Sequence, residues 1–405
     1  MTVLVDIVQL CLCPPDGAPD DVGAVADAAL VWDAGRIVWA GRRLDLPADY
    51  ADAERRSAGG RLVVPGLVDS HTHLAFGGDR TGEFVERLAG TPYLDIARRG
   101  GGILSTVRAT RAASEPALVS RARGWLDVML LRGVTTVEAK SGYGLTLADE
   151  IKQLGVYRRL AAEGPQRLVA TVLGAHTVPP EFASDRAGYL RLLTDDLLPA
   201  VAHDGLAVFC DAFVEDTAFH PDEARVYFDA ARHLGLVPKL HADQLSDTGG
   251  ARLAAEAGAA SADHLEFISD AGIRALAAST TVAVSLPLAT LTLGVPPLPA
   301  RRLIAAGVPV AVATDFNPGS APQPDLPLAM WAACVRQRMT PAEALRGATC
   351  VAAQALLLDG VGTLVPGAHA DLCIVDAPSL DAWMYHGPGT PIAETVIGGQ
   401  SAWTS

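Results

Sequence analysis

Hydrophobic and polar positions divide the chain into two kinds of segment. Up to about residue 62, short apolar runs of β-type composition at residues 3–13, 29–31 and 36–40 are separated by turn-forming sequences. From residue 63 onward, strand-like apolar runs alternate with stretches of helical period. Strands are predicted here at residues 63–71, 135–139, 168–175, 207–214, 237–241, 261–264, 282–286 and 308–314. Helices predicted between them include residues 148–162, 221–234, 250–257, 270–278 and 299–306.

Such alternation predicts an α/β fold, a (β/α)8 TIM barrel. An open doubly wound sheet is the alternative, but no Gly-x-Gly-x-x-Gly turn follows the first strand. Beyond helical segments at 328–338 and 341–357, β-type segments return at 362–364, 370–375 and 394–397. We therefore predict a small β-sandwich domain built from residues 1–62 and 361–405, with the barrel, residues 63–360, inserted between them. Residues 287–299 carry four prolines and a glycine, which predicts an irregular loop.

Composition and charge argue against several classes of function. Half of the 405 residues are apolar, which is enough for a large core, and the formal net charge of -14 argues against nucleic acid or an anionic membrane as a partner. No apolar run has the length of a membrane span, and the N-terminus lacks the positive segment of a signal peptide. Six scattered cysteines suggest reduced thiols. We expect a cytoplasmic protein that acts on a small molecule.

Histidines and acids recur at the C-terminal ends of the predicted strands, where barrel enzymes carry their active sites. The first strand ends in His71-x-His73. Residues two apart on a strand point to the same face, so both imidazoles can bind one metal ion. Taken alone, the pair could equally be two structural histidines. The other strand ends add His176, His241, His264 and Asp315.

This arrangement resembles the amidohydrolase superfamily, whose signature is His-x-His on strand one, single histidines on strands five and six, and Asp on strand eight. More specifically, several motifs in their order along the chain are similar to the imidazolonepropionase family. They lie at residues 76–80, 100–106, 140–145, 174–176, 241–244, 261–266 and 313–320. The resemblance covers the whole chain, including the split β domain and the Gly-Thr-Leu-x-x-Gly-x-x-Ala-Asp-Leu pattern at residues 362–372.

The resemblance implies one Zn²⁺ or Fe³⁺ ion per subunit, a homodimer, and the metal ligands His71, His73, His241 and Asp315. Strand four has no lysine that could be carboxylated to bridge a second ion, which favours a single metal. The implied reaction is metal-dependent hydrolysis in histidine degradation. Water adds to the ring carbonyl of 4-imidazolone-5-propanoate, the carbonyl–nitrogen bond breaks, and N-formimidoyl-L-glutamate is formed.

Roles for further residues follow from the same resemblance. Asp315 and His264 are expected to carry protons, and which of them takes the proton of the water stays open. An alternative for His264 is a hydrogen bond that only orients Asp315. His176 is expected to donate to the carbonyl oxygen as charge develops. The implied substrate contacts are Arg80, Tyr143, His176, Gln244, Asn317, Gly319 and Ser320.

Arg80 also has a physical argument of its own, because a guanidinium binds a carboxylate such as the substrate's propionate in a bidentate fork. Its alternative is a surface ion pair with Glu83 or Glu86. Another amidohydrolase, a cyclic amidine deaminase or an N-acyl amino acid hydrolase, would share the metal ligands. An inactive scaffold would be expected to have lost them. Residues 286–294 lack the aromatic residues that many relatives carry there, which leaves the stacking contacts to the substrate ring open.

Overall fold

The structure, a computed structural model, describes residues 1–91, 95–96 and 99–405. Its strands form an eight-stranded sheet in the order β5 to β12 and a seven-stranded sheet in the order β15-β14-β13-β4-β1-β2-β3. The strands are β1 Thr2–Cys11, β2 Ala24–Asp33, β3 Arg36–Arg42, β4 Glu54–Pro65, β5 Leu67–Asp69, β6 Val134–Lys140, β7 Arg167–Ala175, β8 Phe209–Val214, β9 Val237–Ala242, β10 Ser261–His264, β11 Val282–Ser285, β12 Val310–Val312, β13 Leu372–Val375, β14 Ile392–Ile397 and β15 Gln400–Thr404.

The eight-stranded sheet is the predicted barrel. Its strands pair in parallel in chain order, and helices follow most of them. The first and last strands meet just beyond their C-terminal ends, where the amide of His73 donates to the carbonyl of Phe316 at 2.8 Å and the amide of Asp315 donates to that of His71 at 3.0 Å. These bonds close the ring and bring the two strand ends together.

Helices surround the barrel and connect its strands. The α-helices are Thr81–Leu88, Ile103–Ala112, Glu115–Leu131, Leu147–Glu163, Arg186–Arg191, Leu198–His203, Pro221–His233, Gly250–Ala257, Asp270–Ala277, Pro287–Leu293, Ala300–Ala305, Leu326–Gln337, Pro341–Gly347, Cys350–Ala355 and Leu380–His386. A π-helical segment spans Leu192–Leu197, and 3₁₀ turns span Arg43–Asp45, Ala48–Tyr50, Pro180–Phe182 and Gly387–Gly389. Within the described residues, no helix combines the length and apolar character needed to cross a lipid bilayer.

The seven-stranded sheet confirms that both termini build one small β domain. Its central strand β4 pairs in parallel with β1 and antiparallel with β13. Apart from residues 362–364, the segments predicted for the small β domain are therefore hydrogen-bonded into one continuous mixed sheet. A hydrophobic cluster separate from the barrel core covers this sheet and includes Leu30, Trp32 and Leu372.

The run at residues 63–71, predicted as one strand, is divided. Residues up to Pro65 belong to β4 of the small sheet, and the barrel strand β5 begins at Leu67. Gly66 lies between them, packed so closely on β6 that an added Cβ would lie 2.4 Å from the Thr135 hydroxyl oxygen. Pro65 and Gly66 therefore let one apolar run serve two sheets.

Three further segments differ from their predictions. Residues 287–299 are not irregular throughout, because Pro287–Leu293 is helical. Proline fits the first turn of a helix, the Thr290 hydroxyl donates to the Pro287 carbonyl at 2.9 Å, and the helix ends at Gly294 in the left-handed region. Residues 341–357 form two helices divided at Thr349 rather than one. Residues 362–364 are not a strand.

Candidate metal centre and active site

The structure brings the four predicted metal ligands together at the C-terminal end of the barrel. Nε2 of His71 and Nε2 of His73 each lie 3.5 Å from Oδ1 of Asp315. Nε2 of His241, near the end of β9, lies 3.4 Å from Nε2 of His73. All four side chains are buried, none of them more than 3 % exposed.

Each of these three distances is close to the separation of two ligand atoms on one metal ion. Ligand atoms about 2.05 Å from a zinc ion are separated from one another by about 3.3 Å along the edges of the tetrahedron. Nε2 of His71 has no hydrogen-bond partner among the described residues. Imidazole lone pairs that point at a buried carboxylate repel it unless a cation lies between them. The donor set, three imidazole nitrogens and one carboxylate oxygen, therefore suits a divalent transition metal.

Two carboxylates orient the predicted ligands His71 and His241 by hydrogen bonds from Nδ1, the ring nitrogen that does not face the metal site. Asp263 accepts a hydrogen bond from Nδ1 of His71 at 2.6 Å, and Asp211 accepts one from Nδ1 of His241 at 3.0 Å. Each places the ring proton on Nδ1 and leaves the Nε2 lone pair for a metal. Burial raises the pKa of Asp263. For Asp211, burial is outweighed by His241 and Lys140, which hold the pKa of its carboxyl below the usual range.

A buried charge network lies beneath the ligands, and the sequence analysis missed it. Nζ of Lys140 contacts Asp211 at 2.7 Å, Glu138 at 2.9 Å and Asp263 at 3.4 Å. Nζ of Lys239 contacts Glu138 at 2.8 Å. All of these side chains are fully buried. The available signal was charged residues inside otherwise apolar strands, such as the Glu138-x-Lys140 pair on β6.

His264 lies beside this centre at the end of β10, with its ring centroid 5.4 Å from that of His241. Its Nδ1 is 3.6 Å from Oε1 of Glu266. Burial alone would lower the pKa of His264, but the negative charge of Glu266 raises it above the usual value. Ligand atoms of His71, His241 and His264 also lie within 4.8 Å of one another. The geometry thus allows His264 to carry a proton or to act as an additional ligand.

The backbone at this rim is strained. His264, Leu265 and Asp315 adopt φ angles of 79°, 65° and 55°, in the left-handed region that residues with a side chain rarely occupy. Such conformations are found preferentially at active sites.

His176 stacks on His73, with ring centroids 5.3 Å apart. Its Nδ1 lies 2.9 Å from the carbonyl oxygen of Gly142. A carbonyl can only accept, so Nδ1 carries the proton and Nε2 is the acceptor. Burial lowers the pKa of His176 well below its usual value, which favours the neutral ring. In that form Nε2 accepts, and donation from His176 to the substrate carbonyl, which needs a proton on Nε2, stays a prediction.

The turn after strand eight places three of the predicted substrate contacts around Asp315. The side-chain nitrogen Nδ2 of Asn317 donates to the Ser320 hydroxyl at 2.8 Å, and that hydroxyl donates to Oδ2 of Asp315 at 3.3 Å. The side-chain oxygen of Asn317 accepts from the amides of Gly319 and Ser320. The turn therefore orients the Asp315 carboxylate.

Arg80 packs against the same turn. A Cβ added to Gly319 would lie only 2.1 Å from Nη1 of Arg80. Nε of Arg80 donates to Glu83 at 2.7 Å, which is the ion pair expected if Arg80 does not bind substrate. The Arg80 side chain is nevertheless only 13 % exposed, so this is not a surface ion pair. The other carboxylate oxygen of Glu83 accepts from the amide of Gly102 and the hydroxyl of Ser105. Glu83 therefore holds Arg80 in place through Nε, on the side away from the Nη1 group that faces Gly319.

The last two predicted substrate contacts, Tyr143 and Gln244, lie in the loops after β6 and β9. The Tyr143 ring centroid is 5.8 Å from that of His73 and 5.5 Å from that of His176, and Gln244, just after β9, is 9 % exposed. Glu150, which the sequence analysis did not identify, fixes the loop of Tyr143 by accepting from the amides of Gly142, Gly144 and Leu145. Nothing in its helical sequence context indicates that role.

Known proteins resemble this chain in sequence and in fold. Residues 62–402 match the model of the amidohydrolase family. The chain is 49% identical to an imidazolonepropionase from Paracoccus denitrificans over 381 residues, which are 93% of this chain and 95% of that protein. It is 48% identical to an imidazolonepropionase from Geobacillus kaustophilus over 384 residues, 94% of this chain and 90% of that protein.

Two solved structures share the fold. One is 5-methylcytosine deaminase from Klebsiella pneumoniae, with a TM-score of 0.75 and 19% identity over 100% of this chain and 97% of that one. The other is a variant of atrazine chlorohydrolase from Arthrobacter aurescens in complex with zinc and atraton, with a TM-score of 0.74 and 18% identity over 99% of this chain and 95% of that one. At these identities the likeness concerns the fold alone, and it agrees with the predicted barrel and β domain.

Proposed function

Because this chain belongs to the amidohydrolase family and to its imidazolonepropionase branch, we propose that its metal centre opens the ring of 4-imidazolone-5-propanoate. The chain is a hydrolase of histidine degradation. One observation carries the assignment of the site: three imidazole nitrogens and the Asp315 carboxylate lie close together at the barrel opening, and the Arg80 guanidinium packs against Gly319 in the turn that follows Asp315. The likeness to imidazolonepropionases over nearly the whole chain disfavours a deaminase, an N-acyl amino acid hydrolase and an inactive scaffold.

We propose one ion per subunit, held by His71, His73, His241 and Asp315. Of Zn²⁺ and Fe³⁺, we propose Zn²⁺. The related atrazine chlorohydrolase variant is a zinc complex.

When bound, such an ion supplies an activated water at neutral pH and polarises a carbonyl group. Oδ2 of Asp315, oriented by the Ser320 hydroxyl, accepts the proton of the attacking water. His264, whose protonated form is favoured by Glu266, delivers a proton to the departing ring nitrogen. Asp315 therefore acts first as a base and His264 as the acid.

The remaining residues bind and orient the substrate. Arg80 pairs with the propionate, since its Nη1 side is directed at the turn of Gly319 while Glu83 occupies its Nε. His176 accepts a hydrogen bond from a ring N–H at its Nε2. Tyr143, Gln244, Asn317 and Ser320 complete the pocket wall.

The location and the assembly of the protein are further proposals. We propose a cytoplasmic enzyme that forms a homodimer, as the family resemblance implies. Light scattering coupled to size-exclusion chromatography measures the mass of the particle directly. A mass equal to a single 42.1 kDa chain contradicts the dimer.

The test of function couples metal analysis to turnover. Imidazolone propionate is generated in place from urocanate, and its ultraviolet absorbance is followed after addition of the purified, metal-quantified protein. The expected product carries one added water and forms without release of ammonia. Ammonia release with the ring intact would instead identify a deaminase. His241→Ala serves as the control that lacks a metal ligand.

A further inference from the structure

Lys140 is a fully buried cation at the end of β6, outside the group of metal ligands. Its Nζ lies 2.7 Å from Oδ2 of Asp211, 2.9 Å from Oε1 of Glu138 and 3.4 Å from Oδ2 of Asp263. An ammonium group has three donors and no acceptor. Its hydrogen bonds go to Glu138 on β6 and Asp211 on β8, and it forms an ion pair with Asp263 on β10. Lys140 therefore links three strands inside the barrel.

The backbone of Lys140 is as constrained as its side chain. Its amide donates to the Thr72 carbonyl at 2.8 Å, and its carbonyl accepts from the Tyr157 hydroxyl at 2.7 Å. Thr72 lies between the two ligands of the His-x-His pair. The position of Nζ is therefore set by the same strand end that carries the metal ligands.

Two of the carboxylates around Lys140 are those that hold ligands. Asp211 accepts from Nδ1 of His241, and Asp263 accepts from Nδ1 of His71. We propose that Lys140 is a positioning residue of the metal centre, because it fixes both carboxylates that orient His71 and His241. This inference rests on the metal centre proposed above, and it adds to it a residue that touches neither the ion nor the substrate.

Loss of Lys140 would act on the ligands through these carboxylates. Without the charge of Lys140, Lys239 is the one buried lysine left near Glu138, Asp211 and Asp263 within the described residues, and the carboxylates repel one another. A carboxylate that turns away leaves the Nδ1–H of its histidine without an acceptor. The imidazole is then free to carry its proton on Nε2, which cannot bind a metal.

Lys239 provides a matched control. It is equally buried, and its Nζ donates to Glu138 at 2.8 Å and to the Ser70 carbonyl at 3.3 Å. The hydrogen bonds of Lys239 within the described residues thus go to neither of the carboxylates that hold a ligand. Removal of either lysine deletes one buried positive charge, but only removal of Lys140 takes a hydrogen bond from Asp211 and an ion pair from Asp263, which keeps its hydrogen bond from Ser261.

The experiment compares Lys140→Met with Lys239→Met. Zn²⁺ affinity is measured by competition with a chromophoric chelator, and the melting temperature of each metal-free protein is recorded. We expect both variants to be less stable than the parent. Zn²⁺ affinity should fall about 10–100-fold in Lys140→Met, the usual effect of losing a group that orients metal ligands, and should stay close to the parent value in Lys239→Met. Equal losses of affinity, or a parental affinity in Lys140→Met, overturn the inference.

A second pair of variants serves if Lys140→Met does not fold. Lys140→Met/Asp263→Asn and Lys239→Met/Asp263→Asn each remove one cation and one carboxylate, so the charge balance of the network is kept. Only the first also releases Asp211 and His241, and it should bind Zn²⁺ at least about tenfold more weakly than the second. Equal affinities contradict the role of Lys140. Failure of the parent protein to bind Zn²⁺ would instead contradict the metal centre itself.

Discussion

Two side chains, Asp315 and His264, carry the proton steps proposed for this site. Asp315→Asn keeps the shape of the side chain but removes its charge and basicity, so turnover should be abolished even where metal remains. His264→Asn should retain the metal and lose about two to four decades of kcat, the usual range for a general acid–base group. Metal content and kcat of each variant provide the measurement.

The double variant completes that experiment. Because both residues act on one proton path, the losses should not add. If His264→Asn empties the site, His264 is a ligand, as its position within 4.8 Å of the ligand atoms of His71 and His241 allows. If it keeps full activity, proton transfer depends on Asp315 alone.

Arg80 is the residue that we expect to decide substrate affinity. Arg80→Met should leave metal content unchanged and lower kcat/KM about a hundredfold, because a charge-assisted partner of the propionate is lost. Arg99→Met is the matched control, since Arg99 is an exposed arginine that pairs with Glu86 at 2.5 Å. Kinetics of Arg80→Met equal to those of the parent would make the ion pair with Glu83 the whole role of Arg80.

Among individual residues, some members of the site could be predicted from the sequence and others could not. His71, His73, His241 and Asp315 end apolar strands, and the strand order alone brings them together. The tautomer of His176 could not be predicted, because it depends on a carbonyl from another loop. Nor could the network of Lys140 and its neighbours, since a charged residue in a strand usually indicates exposure and only pairing between strands explains its burial.

Strands and helices could be predicted where the hydrophobic periodicity and the turn-forming residues indicate the same boundaries. The barrel strands satisfy this condition, whereas the run at residues 63–71 does not, because its apolar pattern is continuous across Pro65 and Gly66. Helix Pro287–Leu293 was missed because its proline indicates a loop unless it occupies the first helical turn. The first difference involves a packing partner distant in sequence, Thr135 on β6, whereas the second depends on local features of the helix.

A substitution in the turn after strand eight tests the substrate pocket without changing any charge. In Gly319→Ala the new Cβ would lie 2.1 Å from Nη1 of Arg80, so the guanidinium must move away. We expect KM to rise about tenfold or more while kcat and metal content change little, since uniform binding is what is lost. Steady-state kinetics measure this effect.

Gly124→Ala is the matched control for that substitution. A Cβ at Gly124, within helix Glu115–Leu131, meets nothing within 4 Å. It should leave KM unchanged and stabilise the helix by about 0.5–1 kcal/mol. An unchanged KM in Gly319→Ala as well would show that Arg80 is not held against this turn when substrate binds.

For the whole molecule, the barrel and the small sheet are joined by partly buried polar contacts. The guanidinium of Arg346, in the helix Pro341–Gly347 that follows the last barrel strand, donates to the carbonyls of Pro14, Gly17 and Asp21 in the N-terminal segment. Asp371, just before β13, accepts from Arg167 of the barrel strand β7 at 3.2 Å. The proposed metal ligands lie just after β5, in β9 and just after β12, so an ion held by them would link the first, fifth and last strands of the ring.

Removal of the metal should therefore destabilise the whole barrel as well as abolish turnover. An ion that binds only the native state adds about 4 kcal/mol at a concentration a thousandfold above its Kd. A chelator should lower the melting temperature of the parent by several degrees, and added Zn²⁺ should restore both stability and activity. His241→Ala, which lacks a ligand, should show a much smaller shift. If the chelator lowers activity but leaves the melting temperature of the parent unchanged, the four ligand positions are organised by the protein alone, and the ion contributes chemistry without stabilising the fold.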